Sequence, residues 1–452
     1  MLGANSARAE DGEGYAGLKT MTNRSFLKCD VCGAVTLMRL QAGWLDEHPL
    51  RVPCGKCGIL ISGTVYFDQV KGGLRYDIHN ASEIDETVPE FYLEASGELL
   101  AEKLKRHSGG SFVWSPPPFF QALWAMGNEN YGEFKGKALH FLASTRFEWP
   151  KVRRINELWL NKQYAYLPDE VAQYLPKSKF PMTNEAEYLR GVHQLNLLFL
   201  WPILDDTRFG KQTNFIFRTL PVLADKHAGR YVDLLKHFAE QGLLQKYAEQ
   251  LLGRLAHFVD RFKYLMPAFA LRFYQKKPRG LKKDKGITTA SFEDVKGFYS
   301  DTFEVLAEML PLLVAYNNLR YRGDYQAMRH VRRDVKTLDD FIAKSKGDRL
   351  QFVDGSEAFD RLVFPRLDNK LRNAIAHTSY TQDLAQQRIT YYPSGVTGKG
   401  AAKRIYMIDA VQSCWSVFLC MVDMMELHYQ TEKLYYVTVK RNKTVDPRVF
   451  RR

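Results

Sequence analysis

At 452 residues, 45% hydrophobic and 25% charged, the chain has the composition of a folded globular protein of roughly two to four domains, which excludes wholesale disorder. Its net charge of +13 favours polyanionic partners. Residues 1–19 lack the apolar stretch of a signal peptide, and the longest apolar run, residues 195–204, is about half of a membrane span, so a cytoplasmic protein without a membrane partner is expected.

Residues 1–24, rich in Ala, Gly and Glu, read as a flexible tail. Two matched knuckles follow, Cys29-Asp30-Val31-Cys32-Gly33 and Cys54-Gly55-Lys56-Cys57-Gly58. Four thiolates at this spacing close a tetrahedron around zinc, and the glycine after each pair lets backbone amides turn towards sulfur. Cys29, Cys32, Cys54 and Cys57 are therefore the expected ligands of a structural Zn2+ in a zinc ribbon over residues 25–80, with strands near residues 35–40 and 59–67. Four sulfur ligands leave no open coordination position, which argues for structure over catalysis, and so small a ribbon is expected to depend on its metal. A redox role for either pair lacks the usual strand-to-helix setting.

From residue 81 the pattern reads as helical, giving a helical middle region over residues 81–274. Pro116, Pro117 and Pro118 interrupt it. The aromatics between residues 114 and 159, interleaved with Lys151, Arg153 and Arg154, are read as core in preference to a base-stacking surface. Leu244, Tyr247, Leu251, Leu255, Phe258, Phe262 and Leu265 keep helical spacing and predict an amphipathic helix closed or kinked at Pro267. Residues 275–290 are a basic linker, with six bases against one acid between residues 275 and 286. A solvated charge run is its plain reading, and a loop that tracks RNA is the sharper one.

The terminal domain, residues 291–452, opens with Ser291 and Asp294 as a capping pair and a stripe through Val295, Phe298, Leu306, Met309, Leu313 and Tyr316. A second helix is expected over residues 325–343, carrying Arg329, His330, Arg332 and Arg333. A third, beginning near Glu357, contains Leu371-Arg372-Asn373-Ala374-Ile375-Ala376-His377. Leu367, Leu371 and Ile375 form its buried stripe, and Asn373 and His377, four apart, share another face. The segment thus offers a fixed cation, an amide and a titratable imidazole, the parts needed for phosphate binding and proton transfer. Residues 388–392 and 404–408 read as a hairpin around a Gly-rich turn. A last apolar helix over residues 409–429 carries Cys414 and Cys420 as core thiols, and residues 440–452 form a basic tail.

Arg372, followed by the polar Asn373 and after a short gap by His377, resembles the signature of the HEPN superfamily (higher eukaryote and prokaryote nucleotide-binding domains). Arg230 and His237 satisfy the bare spacing too, but lack the helix before, the Ser379-Tyr380 after and the hairpin insert. The resemblance covers about the last third of the chain. It implies a C-terminal HEPN-like helical bundle with a short β-hairpin insert; with the small β zinc ribbon at the N-terminus and the helical middle region read above, a mainly α protein is expected. It further implies a homodimer through the terminal domain, with motifs meeting across the interface to cleave RNA without metal. In such an endoribonuclease Arg372, Asn373 and His377 are the catalytic residues. His377 transfers a proton, Arg372 holds the phosphate, and Asn373 orients one or the other. Relatives of this type act as toxins or antiviral defence effectors, so an antitoxin or sensor partner would fit. The alternative is a non-catalytic RNA-binding or dimerisation module with a zinc ribbon. A zinc-ribbon DNA-binding regulator is weaker, because no recognition helix is evident.

Overall fold

The computed structural model describes residues 21–68, 70–107, 115–277 and 280–440, so the expectations for the first 20 residues and for the basic tail beyond residue 440 lie outside the described residues. Met21–Arg24, expected in the tail, begin a strand.

Nine strands come first: β1 (Met21–Cys29), β2 (Val35–Ala42), β3 (Glu47–Pro53), β4 (Leu60–Phe67), β5 (Leu74–His79), β6 (Ala81–Ile84), β7 (Phe91–Ser96), β8 (Ala101–Glu102) and β9 (Lys105–Arg106). All but β8 form a five-stranded sheet ordered β6-β1-β2-β7-β9 and a three-stranded sheet β3-β4-β5. β2 pairs antiparallel with β1 and parallel with β7, placing Arg39 opposite Glu94. Leu27, Met38, Leu40 and Leu93 from the first sheet pack on Leu50, Val52, Ile61 and Val65 from the second. The knuckles therefore sit in a two-sheet unit with a hydrophobic core of its own, larger than a ribbon over residues 25–80. The helical pattern expected from residue 81 starts at Pro118. β7 hid because all six of its residues are buried, Glu94 and Ser96 included, so it has no alternation of buried and exposed positions.

The helices are α1 (Pro118–Met126), α2 (Asn128–Phe147), α3 (Trp149–Leu160), α4 (Leu167–Ala172), α5 (Glu185–Leu200), α6 (Asp206–Lys226), α7 (Ala228–Glu240) and α8 (Leu243–Ala270). Pro118 opens α1 at the position where its missing amide has no partner to lose. The whole predicted stripe of α8 is buried, and Pro267 lies in its last turn. Tyr131, Phe134, Phe141, Trp149 and Trp159 are core, as expected, while Phe120, Trp124 and Phe147 are exposed.

The expected linker is a seam. A short α9 (Leu281–Asp284) leads into β10 (Lys285–Gly286), which pairs with β8. Lys103 Nζ donates to the carbonyls of Lys282 (2.7 Å) and Gln386 (2.8 Å), Lys285 pairs with Glu102 (3.3 Å), and Arg51 pairs with Asp294 (3.1 Å). These bonds dock the sheets on the terminal region. Residues 278 and 279 are outside the described residues.

α10 (Phe292–Arg322) carries the predicted capping box and stripe. It ends at Gly323, whose φ of 73° is left-handed. The helix expected over residues 325–343 is replaced by turns, with α11 (Leu338–Ile342) and α12 (Lys346–Arg349). The end of α10 explains this: Asn318 donates to the Tyr325 carbonyl (2.8 Å) and Arg322 to that of Ala327 (2.7 Å), meeting needs a helix would have met internally. The motif helix is also shorter than expected. Residues from Glu357 form a 3-10 turn at Ala358–Leu362, Pro365 follows, and α13 spans only Asn369–Ala376. Asp368 caps it, accepting from Lys370 N (2.8 Å) and Leu371 N (3.3 Å).

The hairpin is three-stranded, β11 (Tyr380–Asp383), β12 (Arg388–Tyr391) and β13 (Lys403–Tyr406), and α14 (Met407–Leu434) follows, continued by a π-helical stretch at Tyr435–Lys440. The stretch Met407–Lys440 is by length and composition apolar enough to cross a membrane, and 72% of its apolar window is buried inside the fold. It crosses the molecule's centre, where Phe418 stacks on Phe258 of α8 with centroids 3.6 Å apart. α8, α10 and α14 share one continuous core, so the middle and terminal segments pack as a single body. Cys414 and Cys420 are buried in it, and burial pushes the Cys420 thiol up to about 11.

Candidate functional site

Two constellations carry chemistry. The first is the cysteine cluster. Cys29 ends β1 and Cys32 lies in the β1–β2 turn, while Cys54 follows β3 and Cys57 lies in the β3–β4 turn. The turns are near copies. Gly33 and Gly58 take left-handed φ of 70° and 75°, and their amides donate to the carbonyls of Cys29 (2.9 Å) and Cys54 (3.0 Å). The four sulfur atoms lie within 4.8 Å of one another, with Cys29–Cys57 at 3.7 Å and Cys32–Cys54 at 3.5 Å. A tetrahedral ion with bonds of about 2.3 Å separates its sulfurs by about 3.8 Å, so the four cysteines can hold a metal ion. The Ala34 amide pulls the Cys32 thiol down to about 7, and burial pushes that of Cys54 up to about 12. One turn belongs to each sheet, so a bound ion staples the sheets together. Phe91 of β7 covers the second turn closely: a Cβ on Gly55 would lie 2.3 Å from its ring.

The second constellation surrounds α13. Leu371 and Ala374 anchor the helix in the core, leaving Arg372 and Asn373 half-buried and His377 exposed. The helix closes with a double bond pattern, Ser379 N to Ala374 O (2.9 Å) and Thr378 N to Ile375 O (3.1 Å). That closure places Thr378 at φ 52°, a left-handed position where a β-branched residue is strained. It turns the chain so that His377 stands at the exposed end. Across from it lies Gly395 in the β12–β13 loop, where a Cβ would sit 2.6 Å from His377 Cδ2.

Arg372 is engaged. Its guanidinium forms an ion pair with Glu304 of α10, donates to Asn373 Oδ1 (3.0 Å) and lies 6.0 Å from the Phe303 ring centre. Asn373 thus orients Arg372, not the imidazole. Glu304 also pairs with Lys346 (3.1 Å), and the neighbouring Glu308 pairs with Lys246 (2.6 Å) and Arg349 (3.5 Å). Four cations share two carboxylates, so the strip keeps positive charge beside α13. Lys246, Glu304, Glu308 and Arg349 escaped sequence reasoning because they come from three other elements. The decoy pair is elsewhere: Arg230 and His237 lie on α7, beside Asp324 (3.5 Å) and Asp339 (3.5 Å) respectively.

No protein family, curated protein or solved structure compared with this chain matches it.

Proposed function

We propose that the chain is a metal-independent endoribonuclease of the HEPN type, whose N-terminal cysteines bind one structural zinc ion. The observation that carries this reading is the exposed imidazole of His377, five residues after a guanidinium set in a net-positive strip. The phosphate of an RNA strand is drawn to that strip and satisfies the guanidinium in place of Glu304. The ribose 2′-oxygen then gives up its proton and attacks its own 3′-phosphate. The bond to the 5′-oxygen breaks, that oxygen takes a proton, and a cyclic phosphate remains. Two proton transfers need two groups, and a second His377 across a two-fold axis of a homodimer supplies the other. The zinc takes no part, since four thiolates fill its coordination. A cytoplasmic toxin or antiviral effector, restrained by an antitoxin or sensor, is the setting this chemistry suits.

The ion pair between Arg372 and Glu304 favours a second reading: the guanidinium is structural, and the terminal domain binds RNA or a second copy without cutting. One assay separates the two. The full-length protein is incubated with mixed RNAs, with and without EDTA, beside His377→Ala. Cyclic-phosphate ends formed by the wild type alone, with EDTA present, support the enzyme. RNA bound but uncut by the wild type hands the case to the binding module.

A further inference from the structure

A cavity of 940 Å3 opens between the loop around residues 175–180 and helices α5, α6 and α14, remote in sequence from both constellations above. Its volume is that of a small-molecule site. At its floor His193, 8% exposed, faces Glu426: Nε2 lies 2.9 Å from Glu426 Oε2, and the imidazole stacks on Tyr429 at 3.7 Å. Gln430 Nε2 donates to the other carboxylate oxygen at 2.8 Å. The only acid lining the cavity therefore has both oxygens engaged.

The cations around it are not so matched. Arg190 lines the wall with its guanidinium 4.8 Å from the Phe180 ring centre, and it forms no ion pair among the described residues. Lys433, one turn after Tyr429, is 8% exposed with Nζ 5.9 Å from that ring, and it too lacks a carboxylate partner among the described residues. Burial and the charge of Arg190 hold its ammonium below the usual lysine range, while the already engaged Glu426 pulls the other way. Lys179 adds a third cation at the exposed rim. The half-buried guanidinium of Arg190, lining the wall, is open to an anion that enters the cavity. The other walls are apolar, Leu175, Leu197 and Phe217, and the buried hydroxyl of Thr213 has no hydrogen-bond partner.

We propose that this cavity is a binding site for a small phosphorylated organic molecule. Its phosphate sits on Arg190 and Lys179, and its ring-bearing body lies against Leu197 and Phe217. Gln194, Thr213 and the free Nδ1 of His193 supply the polar contacts that orient the body. This assignment is independent of the nuclease reading.

The test is calorimetric titration of the full-length protein with the four ribonucleoside monophosphates and with inorganic phosphate. At least one nucleotide is expected to bind with a Kd below about 1 mM, and inorganic phosphate at least about tenfold more weakly, because it leaves the apolar wall unfilled. Arg190→Gln weakens the nucleotide about tenfold or more. Arg190→Gln keeps a polar side chain at a half-buried position and is expected to fold; Lys179→Glu lies on an exposed loop and weakens binding without touching the core. Arg372→Ala leaves the affinity unchanged, which separates this cavity from any site at α13. The proposal is overturned if no nucleotide binds, if binding survives in Arg190→Gln with Lys179→Glu, or if inorganic phosphate binds as tightly as the nucleotides.

Discussion

Gly395 touches the imidazole of His377 so closely that a methyl group there must displace one or the other, since a Cβ would fall 2.6 Å from Cδ2. Gly395→Ala is expected to cut RNA cleavage about tenfold by moving the ring, with a stability change of about 1 kcal/mol from its left-handed backbone. His377→Ala should abolish cleavage with the melting temperature nearly unchanged, because an exposed side chain contributes little packing. Cleavage by His377→Ala at the wild-type rate would remove the catalytic assignment. Arg372→Lys should rescue little of the loss in Arg372→Ala, as a point charge does not reproduce the planar fork. Glu304 separates the two readings of Arg372. If the guanidinium serves RNA, Glu304→Gln releases it and tightens RNA binding by a few fold, measured by titration at fixed salt. If it is structural, Glu304→Gln lowers the melting temperature and leaves RNA affinity alone. The local sequence showed the cation, amide and imidazole, because Arg372, Asn373 and His377 lie on one short helix and its cap. It could not show Glu304, 68 positions before Arg372, nor Gly395, since both contacts are made by tertiary packing.

At the scale of elements, a metal ion held by the four cysteines would join two sheets that also share a core of Leu27, Met38, Leu50 and Val65 among others. Losing the ion should therefore loosen the junction without unfolding the sheets outright, unlike a ribbon that depends wholly on its metal. Elemental analysis of protein purified reduced and without chelator should find one zinc per chain, and Cys54→Ser should lose it. Hydrogen exchange in that variant is expected to quicken in β1–β4 and to stay slow in α8, α10 and α14; equal quickening everywhere would mean the ion supports the whole fold. The knuckles were legible because all their geometry is local: two ligands, a turn and a left-handed glycine within a few residues. Elements whose limits depend on distant groups were not. Residues 325–343 carry helix-forming side chains, yet Asn318 and Arg322 of α10 claim the carbonyls of Tyr325 and Ala327 and fold the segment into turns. The motif helix began late for a similar reason: buried Asp360 accepts from the amides of Gly355 (3.0 Å) and Glu357 (3.3 Å), fixing a loop where a helix was expected.

For the molecule as a whole, the periodic stripes of α8 and α10 foretold buried faces but not that both pack on α14 in one core. Nor did the apolar appearance of α14 reveal the ionisable groups it buries, Asp423, Glu426, His428, Glu432 and Lys433. Such groups make stability depend on pH. Burial pushes the carboxyls of Glu98 and Glu432 up to about 8, though Glu98 accepts from Trp44 N (2.8 Å) and Leu45 N (3.2 Å). Burial pushes the imidazoles of His48 and His428 down to about 4. From about pH 4.5 to 6.5 the two effects oppose: unfolding lets the histidines take up protons and the carboxyls release them. Above about 6.5 the unfolded histidines lose their remaining protons, and of these two pairs the carboxyls come to dominate. There the folded chain keeps protons that the unfolded chain has lost, so stability falls as pH rises, by up to about 1.4 kcal/mol per unit for each group, and levels off above about 8. Asp423, pushed up to about 7 by burial against the pull of Arg208 and Arg366, adds to the fall in the lower half of that window. Urea midpoints at pH 6.5 and 8.5 should differ by an amount on the order of 2–4 kcal/mol in unfolding free energy. Glu98→Gln with Glu432→Gln should remove most of the difference, because an amide fills the same space with no proton to lose. A wild-type midpoint that stays flat or rises across the window would mean that both carboxyls are ionised in the folded protein.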